Sequence, residues 1–179
     1  MKKLMIVLAA IALAGATQAA TMTWNVLNMQ SQGVEAGWMV ALYDSSTTFD
    51  YAQAKSGDLA AWYTGTTETY GTAGAVRVTS SGNNNPSGAA FSAGDSISAY
   101  AVIFNAATIA DATQYMVSSA QSATVGASGG NITLGFGSMA ATTTANKFYG
   151  ATWESVPEPT SGLLMLVGLG ALALRRRKA

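Results

Sequence analysis

From Trp24 to Trp153 the apolar side chains fall in short runs that occupy every second position. Trp24 and Val26 form one run, and Trp38, Val40 and Leu42 the next. Val76 with Val78, Tyr100 with Val102 and Phe104, Tyr115 with Val117, and Ile132 with Leu134 and Phe136 follow, and 148–153 reads the same way. A period of two places these residues on one face of an extended strand, so it selects half-buried strands over helices. Between the runs lie 30–33, 80–88, 92–95 and 126–131, stretches of Gly, Ser, Asn and similar residues that turn the chain. Many short strands at such intervals predict one all-β domain, an antiparallel β-sandwich or a barrel-like sheet, with strands at 38–43, 98–105 and 132–136. The pattern lapses at 48–63, where one or two short helices fit, Gly57 closing the first and Asp58 capping the next. Residues 111–114 offer another helical turn. No repeat of fixed period is present, so one domain is the simplest account.

The chemistry open to this domain is narrow, because the chain has no histidine and no cysteine. Ser-His-Asp triads, cysteine nucleophiles, zinc fingers, haem ligation and disulfides all need one of those side chains, and no cofactor is expected. Nine bases balance nine acids overall, but the charges are segregated. Lys2 and Lys3 stand at one end, and Arg175, Arg176, Arg177 and Lys178 at the other. Residues 20–155 hold the acids Glu35, Asp44, Asp50, Asp58, Glu68, Asp95, Asp111 and Glu154 against the bases Lys55, Arg77 and Lys147, a net of −5. Nucleic acid and anionic lipid need a basic patch that three scattered bases do not make, so no nucleic-acid partner is expected for this domain. All four tryptophans, seven tyrosines and five phenylalanines lie in this stretch and supply apolar area for a core.

Both ends read as addresses. Lys2 and Lys3, an apolar run over 4–14 and a small, polar stretch over 15–20 make the three-part pattern of a secretory signal peptide. Thr17 and Ala19 are small enough for the pockets of signal peptidase, so cleavage is expected after Ala19, with Ala20 the next candidate. At the other end Val156-Pro157-Glu158-Pro159 precedes 162–174, a charge-free apolar stretch with three glycines, and four bases follow it. The two prolines fix an extended segment without amide donors at 157 and 159, a shape that a processing enzyme can grip. As a helix, 162–174 would rise about 20 Å against a hydrocarbon core of about 30 Å, adequate as a transient stop and marginal as a lasting anchor. The bases fix its orientation, since positive charge stays on the cytoplasmic side.

The order of these four features, a Pro-Glu-Pro triplet, a short glycine-bearing apolar helix, an arginine cluster and the chain end, resembles the PEP-CTERM sorting signal of Gram-negative bacteria. The resemblance covers 156–179, with Pro157, Glu158 and Pro159 as the sorting motif and Arg175, Arg176, Arg177 and Lys178 as the basic stop. It implies recognition by an exosortase, a transpeptidase-like integral membrane enzyme that brings its own cysteine, and an association with exopolysaccharide and biofilm. The implied organisation is a signal peptide at 1–19, an exported β domain at 20–155 and the sorting signal at 156–179 with a short transmembrane helix. The precursor is then expected in the inner membrane and the mature protein on the outer surface or in the matrix. The signal says nothing about the fold of its cargo.

Within the domain, glycoside hydrolysis can run on two carboxylates without histidine or cysteine, so Glu35, Asp44, Asp50, Glu68 and Asp95 are candidates if two converge about 5 to 10 Å apart. Asp44, Asp58, Asp95 and Asp111 also sit where aspartate commonly serves turns and caps. Calcium is the metal that an all-oxygen ligand set suits, and Asp44-Ser45-Ser46 with Asp50 offers oxygens in one loop, though without Asp-x-Asp-x-Asp-Gly spacing. Trp62, Tyr63 and Tyr70 could stack on sugar rings, or belong to the core. Asn131-Ile132-Thr133 matches an N-glycosylation sequon but reads as a turn entering a strand, and the threonines of 64–69 and 142–144 could accept O-linked sugar. The leading expectation is a non-enzymatic, exosortase-sorted surface or matrix protein. A carbohydrate-binding module comes second and a glycosidase-like enzyme third.

Overall fold

The computed structural model describes residues 22–71, 74–80, 91–126 and 132–157. In chain order these form β1 (Met22–Leu27), a 3-10 turn (Met29–Gln32), β2 (Met39–Asp44), α1 (Tyr51–Ser56), β3 (Tyr63–Thr66) and β4 (Glu68–Tyr70). β5 (Ala75–Ser80), β6 (Ser96–Phe104), β7 (Gln114–Val117), β8 (Gln121–Thr124), β9 (Ile132–Ser138) and β10 (Glu154–Ser155) complete them. One open sheet has the order β4-β5-β1-β9, and the other β10-β7-β6-β2-β3 with β8 also on β6.

The alternation explains how the sheets meet. Met22, Trp24 and Val26 of β1, Val76 and Val78 of β5, and Ile132, Leu134 and Phe136 of β9 point inward, against Val40 and Leu42 of β2, Ile97 and Ile103 of β6 and Met116 of β7. Trp24 sits at the centre, edge-on to Tyr63 at 5.3 Å and to Phe136 at 6.3 Å between ring centroids. Burying each such side chain contributes about 1.5 to 3 kcal/mol, which makes this layer the main source of stability. The far face of the larger sheet is covered as well. Ala41, Tyr43, Tyr100, Val102 and Phe104 pack under Tyr51 and Ala54 of α1 and under Ala112. This is why β2 and β6 are apolar at nearly every position instead of alternating.

Several expectations are corrected. The sheets stay open, so the described residues form no closed barrel, and β1 runs parallel to β9, which departs from an all-antiparallel sandwich. No hairpin dictates their relative direction, because the chain crosses the other sheet between them. The threonines of 64–69 lie on strands and at the corner between them. The stretch forms β3 and β4 on different sheets, with buried Thr67 at the corner: its hydroxyl donates to the Glu35 carbonyl at 2.6 Å and accepts from the Trp38 amide at 2.9 Å. One helix forms in 48–63. Asp50 caps it by accepting from the Gln53 amide at 2.9 Å, and Gly57 closes it at φ 88°. Asp58 caps no second helix, because the Leu59 amide turns back to the Gln53 carbonyl and the chain runs on towards β3. Residues 111–114 make a turn that enters β7, held by Asn105, whose side-chain oxygen accepts from the amides of Thr113 and Gln114.

The expected strand at 148–153 is turn and coil. Buried Asn146 organises it by donating to the Met139 and Ala141 carbonyls and accepting from the Phe148 amide. Gly137, at φ 80°, allows this turn to close on β9, since a Cβ there would strike the Ala145 carbonyl oxygen. The signal peptide with its cleavage positions Ala19 and Ala20, Glu158, Pro159, the apolar stretch 162–174, the basic cluster 175–178 and Asn131 all lie outside the described residues. Among the described residues no helix is long and apolar enough to cross a membrane.

Candidate functional site

The last described stretch carries the chain from the core to Pro157. Trp153 packs against the core, edge-on to Trp38 at 5.7 Å, and its indole nitrogen donates to the Gln32 carbonyl at 3.3 Å. β10 then pairs antiparallel with β7, Glu154 opposite Tyr115 and Ser155 opposite Gln114. The ladder continues one residue further, where the Val156 amide donates to the Thr113 carbonyl at 2.9 Å. The Tyr115 hydroxyl donates to Glu154 Oε2 at 2.8 Å. Burial, then the Glu154 hydrogen bond and the negative charges of Glu154 and Asp50, push the Tyr115 phenol up to about 12. The Tyr115 ring lies in an aromatic cluster, 5.0 Å from Phe49 and stacked 5.9 Å from Tyr51, and Val156 packs against the same cluster.

Pro157 is exposed and borders a groove of about 750 Å³ between α1 and the loop before β7, walled by Tyr51, Lys55, Ala112, Thr113 and Val156. Tyr115, which pairs with β10, and Trp153, which anchors the chain just before β10, were not marked as site residues from sequence. The alternation at Tyr115 and Val117 locates a strand but not its partner, and a two-residue strand has no period to find.

The candidate carboxylates lie mostly at the surface, and Asp50 shares the surroundings of Tyr115 with Glu154. Asp44 is half-buried and the other seven acids of the domain are exposed. Most are engaged locally: Asp44 accepts from the Ser46 amide at 2.8 Å, Asp95 from the Ser92 amide at 2.7 Å, and Asp50 caps α1. Asp58 accepts from the Ser56 hydroxyl and Asp111 from the Thr108 hydroxyl. Glu68 pairs with Arg77 at 3.0 Å, and Glu35 contributes its backbone carbonyl to the Thr67 corner. In the loop weighed for calcium, Asp44 and Asp50 therefore serve the turn and the cap. Among the described residues no group of three or more acids could hold a metal ion.

The aromatic candidates separate. Trp62 and Tyr63 are partly buried against the core. Tyr70 is 57% exposed on the edge strand β4, with the Arg77 guanidinium 3.7 Å from its ring centroid. Thr142, Thr143 and Thr144 are exposed in a loop, as are Thr64, Thr66 and Thr69 on β3 and β4, whereas Thr67 is buried.

Residues 155–178 match the family model described as the PEP-CTERM protein-sorting motif. No curated protein and no solved structure matches the chain. The motif implies an exported protein sorted by an exosortase by way of a membrane-anchored precursor.

Proposed function

We propose that this chain is a non-enzymatic surface or matrix protein whose folded β domain is delivered when an exosortase acts at Pro157, Glu158 and Pro159. The sorting-motif match that begins at the edge of the last strand carries this reading. Its remaining supports are chemical. Histidine and cysteine are absent, and neither of the two described grooves is lined by a carboxylate. Matrix exopolysaccharide is the proposed surroundings of the mature domain. The outer face of the β4-β5-β1-β9 sheet suits it, because Thr23 and Thr133 carry hydroxyls 2.9 Å apart there and Tyr70 presents an exposed ring backed by the Arg77–Glu68 pair.

Glu158→Ala separates recognition from backbone shape, because both prolines remain. Uncut precursor should accumulate in the inner membrane, detected by an antibody to the β domain in membrane fractions. Normal surface delivery of Glu158→Ala with the wild-type C-terminus would remove the triplet from the signal.

A further inference from the structure

We propose that β10 is a clamp that must peel from β7 before the sorting enzyme can process the chain, which makes Tyr115 and Glu154 positioning residues for that reaction. The proposal rests on the reading of 155–178 as the sorting signal and adds its regulation. The motif match begins at Ser155, and Ser155 is already the second residue of β10. No free linker therefore separates the folded domain from the motif. Its first residues are held by the ladder to β7, which the Val156 amide extends onto the Thr113 carbonyl, and the residue just before them is tied down by Glu154 accepting from the Tyr115 hydroxyl. The Val156 side chain adds a further hold by packing against the aromatic cluster under α1.

An enzyme that acts on a peptide bond must take the flanking backbone as an isolated extended strand. Here one edge of that strand is occupied by β7, and the bulk of α1 stands across the groove from Pro157. The reach is short as well. From Pro157 to the start of the apolar stretch at Gly162 the chain extends at most about 17 Å. Peeling Glu154, Ser155 and Val156 back to the anchor at Trp153 lengthens the tether by about 10 Å and frees the backbone upstream of the triplet. A strand of two residues at a sheet edge belongs to the least stable part of a fold, so it can open while the core stays intact.

The absence of native cysteine allows a direct test. Ser155 and Gln114 face each other, and the Val156 to Thr113 bond makes theirs the non-hydrogen-bonded pair, whose separation suits a disulfide. The full-length chain with Gln114→Cys and Ser155→Cys, expressed in a host that processes the wild type, locks β10 when oxidised. The proposal expects processing of the locked chain to slow about tenfold or more against either single variant, with uncut precursor in the membrane fraction. Dithiothreitol added to isolated membranes should restore it, a recovery that misfolding would not give. Tyr115→Phe, which loosens the clamp and keeps the ring, should be processed faster than wild type. Equal processing of the oxidised double variant and its single controls overturns the clamp alone. Failure of the wild type itself to lose its C-terminal segment overturns the sorting reading beneath it.

Discussion

Tyr43 takes a hydroxyl into the layer beneath α1, where its ring stacks on Tyr100 at 5.8 Å and the oxygen has no hydrogen-bond partner among the described residues. Burial, with the neighbouring Tyr100 second, pushes its phenol up to about 12. The folded state thus keeps a proton that the unfolded chain releases near pH 10. Stability is complete below about pH 10 and falls as pH rises towards 12. Tyr43→Phe retains the ring and removes the unpaired hydroxyl, so it should raise stability at neutral pH by about 1 kcal/mol and flatten the alkaline loss. Urea denaturation at pH 7 and pH 11 reads both effects. A loss of stability at pH 7 would mean that the hydroxyl has a partner. At this scale the sequence speaks weakly: Trp24, Tyr43, Trp62 and Tyr63 look alike as letters, and only packing separates the core from an exposed sugar platform.

Among the elements, those with a strong period were legible. β2, β6 and β9 lie at 39–44, 96–104 and 132–138, against expectations of 38–43, 98–105 and 132–136. β8 and β10 were not, because Gln121–Thr124 and Glu154–Ser155 are short, polar edge strands held by backbone ladders instead of apolar faces. Residues 148–153 misled for the opposite reason: Phe148 is apolar in a turn that Asn146 organises, and Trp153 is apolar in coil that packs on the core. α1 was foreseen, but Asp50 was weighed as a ligand or an acid when its carboxylate serves as the helix cap. Asp50→Ala should lower stability by about 1 kcal/mol, read by thermal or urea melting. A change within a few tenths of zero would show that α1 is held by Tyr51 and Ala54 alone.

For the whole molecule, the two-sheet layering follows from the alternation, whereas the parallel β1–β9 pairing and the change of sheet at Thr67 depend on contacts between distant segments that no local pattern encodes. The sorting signal was legible for a different reason: it is a linear string, to be gripped in extended form, so its order and spacing carry the information. How it is mounted was not legible, since that depends on β7 meeting a strand some forty residues downstream. The resulting account is a folded domain that presents its own sorting motif from the edge of a sheet.

The most direct test of that account is mass spectrometry of both termini of the wild-type protein recovered from fractionated cells. The mature form should begin just after Ala19 or Ala20 and lack everything from about Gly162 onward, while the membrane fraction holds a minor precursor with Arg175 to Lys178 attached. Mature surface protein whose C-terminal peptide still contains Leu163 to Leu174 would contradict it, because that segment would then be a lasting anchor.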